Sequence, residues 1–178
     1  TWAFQNLVLS DPLLFRSDLL KQVQLNQDFY YLAELKLMSK KYGLNVNQLL
    51  DIHLGTELIA AYYPNYSVLK HTGYISMIVV QQAEEFEKKI QNLQKNFKEI
   101  KYKEYSIKTF PIRKMMYLCG GEPFKELDSK FYVFIEDRLI LSSDVSDLKR
   151  YIDDYTSDQL FKNKESFQNY ISRLNDQY

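Results

Sequence analysis

The chain has 178 residues, with 23 basic and 23 acidic side chains and so no net charge at neutral pH. That length suits one domain, burying about two-thirds of the surface its unfolded chain exposes; 46% apolar and 26% charged residues exclude a disordered chain. The charge balance excludes a broad cationic footprint for nucleic acid, and a single cysteine excludes an internal disulfide or a Cys-rich metal cluster.

No run reaches the roughly 18–20 apolar residues of a membrane span. Residues 1–20 also lack the basic start and apolar block of a signal peptide. The chain begins at Thr1 rather than Met, so the expectation is a piece excised from a longer protein.

Asp11-Pro12 reads as a helix cap followed by proline at the first helical position, with Leu13, Leu14, Leu20 and Val23 as the apolar stripe. A second helix is predicted over 28–42, burying Phe29, Leu32, Leu35 and Met38 and stopping at Gly43. Asn45 caps a short third helix through Ile52, stopped near Gly55. Residues 1–55 thus form a predicted helical segment packed on the rest, without a strand. Residues 56–178 form the α+β core of what reads as one domain.

Glu57–Tyr63 and Tyr74–Val80 are short runs of β-branched and aromatic residues, punctuated by Pro64-Asn65 and His71-Thr72-Gly73, and read as strands. Residues 82–98 switch to helical period through Phe86, Ile90, Leu93 and Phe97, with glutamates early and lysines late, as the helix dipole favours. Residues 99–119 return to strand character, with a hairpin bend at Lys103-Glu104 and a further strand at Met115–Cys119 before Gly120-Gly121. Phe131–Ile135 and Arg138–Ser142 form the clearest hairpin, turned by Glu136-Asp137, and the first of them is apolar on both faces, as a central strand is. Asp144 caps a helix whose buried stripe is Val145, Leu148, Ile152 and Tyr155, and Leu160–Leu174 is predicted helical.

The expected fold class is therefore α+β, with a mostly antiparallel sheet of about five to seven strands, helices packed on it and a helical N-terminal segment before it. Phe86, Ile90, Leu93, Phe131, Val133, Ile135, Leu148 and Ile152 are expected to share one core.

Mechanism-bearing motifs are missing: no phosphate-binding or dinucleotide glycine loop, no paired-histidine zinc motif and no nucleophile elbow. His53 and His71, the two histidines, lack partners at ligand spacing, so no metal or cofactor is expected and no catalytic residue is assigned. Cys119, at the end of an apolar run, reads as a small buried hydrophobe. Asp144, Asp147, Asp153, Asp154 and Asp158 read as capping and solvated acids, without the calcium-loop pattern. Asn65-Tyr66-Ser67 is a glycosylation triplet of the kind chance supplies in a chain this long. Most of the 15 tyrosines and 11 phenylalanines fit packed positions; Tyr62, Tyr63 and Tyr66, around Pro64-Asn65, are the candidate partner surface.

The stretch Phe131–Ile171, FYVFIEDRLILSSDVSDLKRYIDDYTSDQLFKNKESFQNYI, runs strand, tight turn, strand ending in small polar residues, capped helix and aromatic-rich helix. It resembles the bacterial proteins grouped as domain of unknown function 3352. LLDIHLGTELIAAYY (Leu49–Tyr63) and CGGEPFKELDSKFY (Cys119–Tyr132) are similar to other passages of that family, so the resemblance covers about residues 45–175. It implies a cell-envelope protein, periplasmic or extracytoplasmic, often carrying an N-terminal membrane anchor, and implies no catalytic residues. The functional expectation is an envelope-exposed, non-enzymatic binding or interaction module with a protein, peptidic or glycan partner, no nucleic acid, and no membrane span in this chain. The alternative is a hydrolase or metal-dependent enzyme whose site gathers scattered Asp and Glu with His53 and Cys119.

Overall fold

A computed structural model of the chain describes residues 3–64, 72–93 and 97–157. The architecture is α+β. Seven strands, β1 (Ala3–Val8), β2 (Leu54–Pro64), β3 (Thr72–Val80), β4 (Glu99–Tyr102), β5 (Tyr105–Thr109), β6 (Phe131–Ile135) and β7 (Arg138–Ser142), form one sheet in the order β1-β2-β3-β7-β6-β5-β4. Every neighbouring pair is antiparallel. Three helices, α1 (Pro12–Leu25), α2 (Phe29–Tyr42) and α3 (Val46–His53), lie between β1 and β2. Helix α4 (Ala83–Asn92) joins β3 to β4, α5 (Met115–Gly120) joins β5 to β6, and α6 (Val145–Thr156) follows β7. No helix among the described residues is long and apolar enough to cross a membrane.

The hairpins turn at Lys103-Glu104 and Glu136-Asp137, as the sequence predicts. Lys103 and Glu136 take left-handed backbone angles, φ 52° and 57°, the conformation that matches the twist of paired strands in a two-residue turn. At the start of β2 the register shifts between Leu54 and Leu58. A Cβ on Gly55 would stand 2.6 Å from the Val79 carbonyl oxygen, so the irregularity requires glycine there.

Because side chains alternate along a strand, the sheet has two separate cores. On one face Leu58, Ile78, Tyr132, Leu139 and Leu141 meet Tyr31, Leu49, Phe86, Ile90 and Met116 from the helices. On the other face Ile75, Ile107, Val133, Ile135 and Ile140 pack beneath Leu148 and Ile152 of α6. The single expected core is thereby corrected. Phe86 and Ile90, with Leu93 at the margin, belong to the first face; Val133, Ile135, Leu148 and Ile152, with Phe131 at the margin, belong to the second.

Other expectations are corrected as well. Helices fill 12–53 closely as predicted, but Ala3–Val8 adds a strand ahead of them. Its Gln5-Asn6 pair breaks the alternation that marks a strand, so pairing with β2 rather than local pattern forms it. Met115–Cys119 is helix, not strand: Met, Met, Tyr, Leu and Cys are all buried, which erases periodicity, and Met and Leu, not branched at Cβ, favour helix. Helix α4 stops at Asn92, and Phe97 is 40% exposed rather than part of its buried stripe. Leu160–Leu174 lies outside the described residues.

Candidate interaction surface

Helix α1 starts where Asp11 accepts the Leu14 amide at 2.9 Å. It ends in a tight corner: Gln27 turns left-handed (φ 50°) and the Asp28 amide donates 3.0 Å back to the Val23 carbonyl, closing the helix in the manner of a Schellman cap. Asp28 then caps α2, accepting the Tyr31 amide at 3.1 Å and the Tyr117 hydroxyl at 2.6 Å. Burial works to raise the Asp28 carboxyl pKa, but these donors outweigh it and the carboxyl sits below its ordinary range. The Tyr117 hydroxyl is pushed up, first by burial and then by the same carboxylate. Gly43, at φ 63°, ends α2.

Arg16 ties this helical layer to the rest. It is 1% exposed and sends its guanidinium inward. One terminal nitrogen donates to the Tyr31 hydroxyl at 2.8 Å and the Leu118 carbonyl at 2.7 Å, and the other to Asn47 Oδ1 at 2.8 Å. Asp51, half exposed, stands 3.6 Å from Nε, which has no hydrogen-bond partner. The side chain thus joins α1, α2, α3 and α5.

With the inner faces committed, the outer faces still carry large apolar side chains. Helix α2 buries Tyr31 and Met38, with Leu35 and Tyr42 packed partly against the same core, a stripe at spacings of four, three and four. Phe29, Leu32, Ala33, Lys36, Leu37 and Lys40 form a second stripe at helical period, and all are exposed. Phe29 is 73% and Leu37 49% exposed. The predicted buried stripe, Phe29, Leu32, Leu35 and Met38, mixed the two. On α1, Val23 is buried and Leu20 half-buried as predicted, but Leu13 and Leu14 are exposed. Leu25 is 81% exposed and flanks the corner opposite Phe29. Lys40 and Lys41 make the C-terminal end of α2 cationic and complement its dipole, and Lys36 stands exposed one turn earlier. The signal for this surface is in the sequence, since the run from Phe29 to Tyr42 carries two overlapping apolar stripes, one more than a half-buried helix needs.

The other candidates are dispersed. Tyr62 is half-buried, donates to Gln5 Oε1 at 3.0 Å and leans on Tyr74; the Tyr63 side chain, Tyr66 and the Asn65-Tyr66-Ser67 triplet lie outside the described residues. His53 is fully buried, with Nδ1 3.0 Å from the Gln81 carbonyl and Nε2 3.1 Å from Lys89 Nζ, so Nδ1 carries the proton and Nε2 accepts from the ammonium. Cys119 is enclosed in α5, and burial pushes its thiol up to about 12, with Arg16 pulling weakly the other way. A thiol so placed is not a nucleophile. Asp144 caps α6 through the Ser146 amide at 2.8 Å, Asp147 is buried and accepts the Ser142 hydroxyl at 3.1 Å, and Asp153 pairs with Lys103 and Tyr102. Asp158 and His71 lie outside the described residues. Among the described residues no group of three His, Cys, Asp or Glu side chains could hold a metal ion. No family model, no curated protein and no solved structure matches the chain.

Proposed function

We propose that the chain is a non-enzymatic interaction module, exposed in the cell envelope as the resemblance to domain of unknown function 3352 implies. Its contact surface is the outward face of α2 with the α1–α2 corner. The observation that carries this reading is the second apolar stripe. A half-buried helix needs one apolar stripe, yet α2 carries further apolar side chains on its outward face, where Phe29, Leu32 and Leu37 are exposed. Contiguous exposed apolar surface of this kind marks protein interaction sites. The partner that fits is an amphipathic helix with acidic residues beside its apolar stripe: its apolar side chains cover Phe29, Leu32 and Leu37, and its carboxylates meet Lys36 and Lys40.

The test is titration of the isotope-labelled protein with a synthetic Leu/Glu amphipathic helical peptide, followed by amide chemical shifts. Saturable shifts along residues 29–40, weakened by Phe29→Ser or Leu37→Lys and absent with a Leu/Lys peptide of the same pattern, are expected. No binding, or equal binding of both peptides at scattered sites, would overturn the proposal.

A further inference from the structure

The sheet has two edges, and they are built differently. At the β4 edge the Thr109 amide donates to the Lys98 carbonyl at 3.0 Å. With the register Glu99↔Lys108 to Tyr102↔Tyr105, this leaves Glu99 and Lys101 with outward-pointing backbone groups. Both are charged, and they are ion-paired at 2.8 Å. Charged side chains on the outward positions are a standard guard against strand addition.

At the β1 edge the Leu9 amide donates to the Thr56 carbonyl at 2.7 Å. The register Ala3↔Tyr62 to Val8↔Glu57 then turns the backbone groups of Ala3, Gln5 and Leu7 toward β2 and those of Phe4, Asn6 and Val8 outward. Among the described residues, β2 is the only strand beside β1. The strand AFQNLV contains no charge, no proline and no bulge, and Val8 is 68% exposed. Among the described residues this edge carries none of the charge, proline or bulge guards.

We propose that two copies of this chain pair through β1, antiparallel and edge to edge, joining their sheets across a two-fold axis at Asn6. The occupant is a second copy because the edge complements itself. Setting Asn6 opposite its symmetry mate brings Phe4 opposite Val8 in both directions. All the outward amides and carbonyls of the three residues then pair at once, and no like charges meet. A bare strand junction buries less than the roughly 1,200–2,000 Å² of a standard interface, so the dimer is concentration-dependent. This contact is separate from the outward face of α2.

Sedimentation equilibrium and amide exchange on the same protein test it. The expected result is a reversible monomer–dimer equilibrium, with protection at Phe4, Asn6 and Val8 that rises with concentration. Asn6→Pro removes an outward amide without touching the β1–β2 ladder, and Asn6→Lys sets two ammonium groups opposite each other at the axis. Each weakens dimerisation by about tenfold or more while leaving the melting transition in place, and Lys101→Asn on the other edge changes nothing. A chain that stays monomeric at every concentration, a dimer insensitive to both Asn6 variants, or protection of these amides in the monomer (another segment of the same chain already on β1) overturns the proposal.

Discussion

Arg16 offers the sharpest test of the energetics. Its guanidinium is 1% exposed and makes three hydrogen bonds to neutral acceptors. Bonds from a charged donor contribute about 1.5–3 kcal/mol each, so the three together amount to roughly 5–9 kcal/mol. Against this stands a desolvation cost of several kcal/mol for one buried ion, and the half-exposed Asp51 at 3.6 Å offsets little of it. The two terms nearly cancel. Arg16→Met keeps most of the stem volume and removes both. It leaves few orphans, because the Leu118 carbonyl retains the Tyr31 hydroxyl at 2.7 Å and Asn47 is near enough to the surface to find water. The expected loss is about 1–2 kcal/mol. Arg16→Ala loses in addition about three buried methylenes at ~0.8 kcal/mol each and opens a cavity, for about 3–5 kcal/mol in all. Urea unfolding of the three proteins, with equal slopes, measures both values. If Arg16→Met costs as much as Arg16→Ala, the charge itself dominates and the cancellation is wrong; if Arg16→Met stabilises the protein, desolvation has been underestimated.

Because the two cores lie on opposite sides of the sheet, Leu148→Ala and Phe86→Ala should each cost about 3–5 kcal/mol, and the double variant should add within about 0.5 kcal/mol; coupling beyond that in urea melts would contradict two separate cores. Hydrogen bonds from Arg113 hold the Asp128 carboxyl below its ordinary range. A depressed folded pKa stabilises above the unfolded value and is lost as the pH falls through the folded one, so Asp128→Asn should lose about 1 kcal/mol at pH 7. That deficit should shrink below about pH 4 and be lost as the pH falls through the depressed folded value in denaturation curves; a deficit unchanged by pH would remove the ion pair as its cause. Cys119, buried and with its thiol pushed up to about 12, should react with an aromatic disulfide reagent only as fast as the protein opens, and labelling of the native protein within minutes would contradict its enclosure.

The α+β class, the antiparallel sheet and both hairpins were legible because their signals are local. Asp11, Asn45 and Asp144 do cap helices, and Glu136-Asp137 does turn a hairpin. What was not legible depends on partners distant in the chain. β1 exists through a ladder to residues about fifty positions on, and neither its composition nor its period announces it. Met115–Gly120 is so fully enclosed that no face is left to betray helical period. In α2 the signal was present but double: 29/32/33/36/37 and 31/35/38/42 both fit 3.6 residues per turn, and only the packing of Tyr31 and Met38 against the core says which faces inward. The candidate surface was therefore missed at the residues where the pattern looked strongest.

The same connections bear on how α2 would meet a partner. The helical layer is inserted between two strands that pair along six consecutive positions, Ala3↔Tyr62 to Val8↔Glu57, so its two ends are held side by side. Between those ends Arg16 joins α1, α2, α3 and the Leu118 carbonyl of α5, while Asp28 caps α2 and holds Tyr117 of α5 as well. An exposed apolar stripe on a loosely held helix would pay an ordering cost on every encounter, and a partner could be met by many conformations. Here α2 is tied at its first turn through Asp28 and Tyr31, and at its last through the Tyr42 hydroxyl, which donates to the Pro111 carbonyl at 3.4 Å. Phe29, Leu32 and Leu37 therefore stand on a platform held before any partner arrives, so the conformational cost of the proposed association on this side would be confined to the ordering of their own side chains. That preorganisation is what the proposed contact surface on α2 would draw on when a partner arrives.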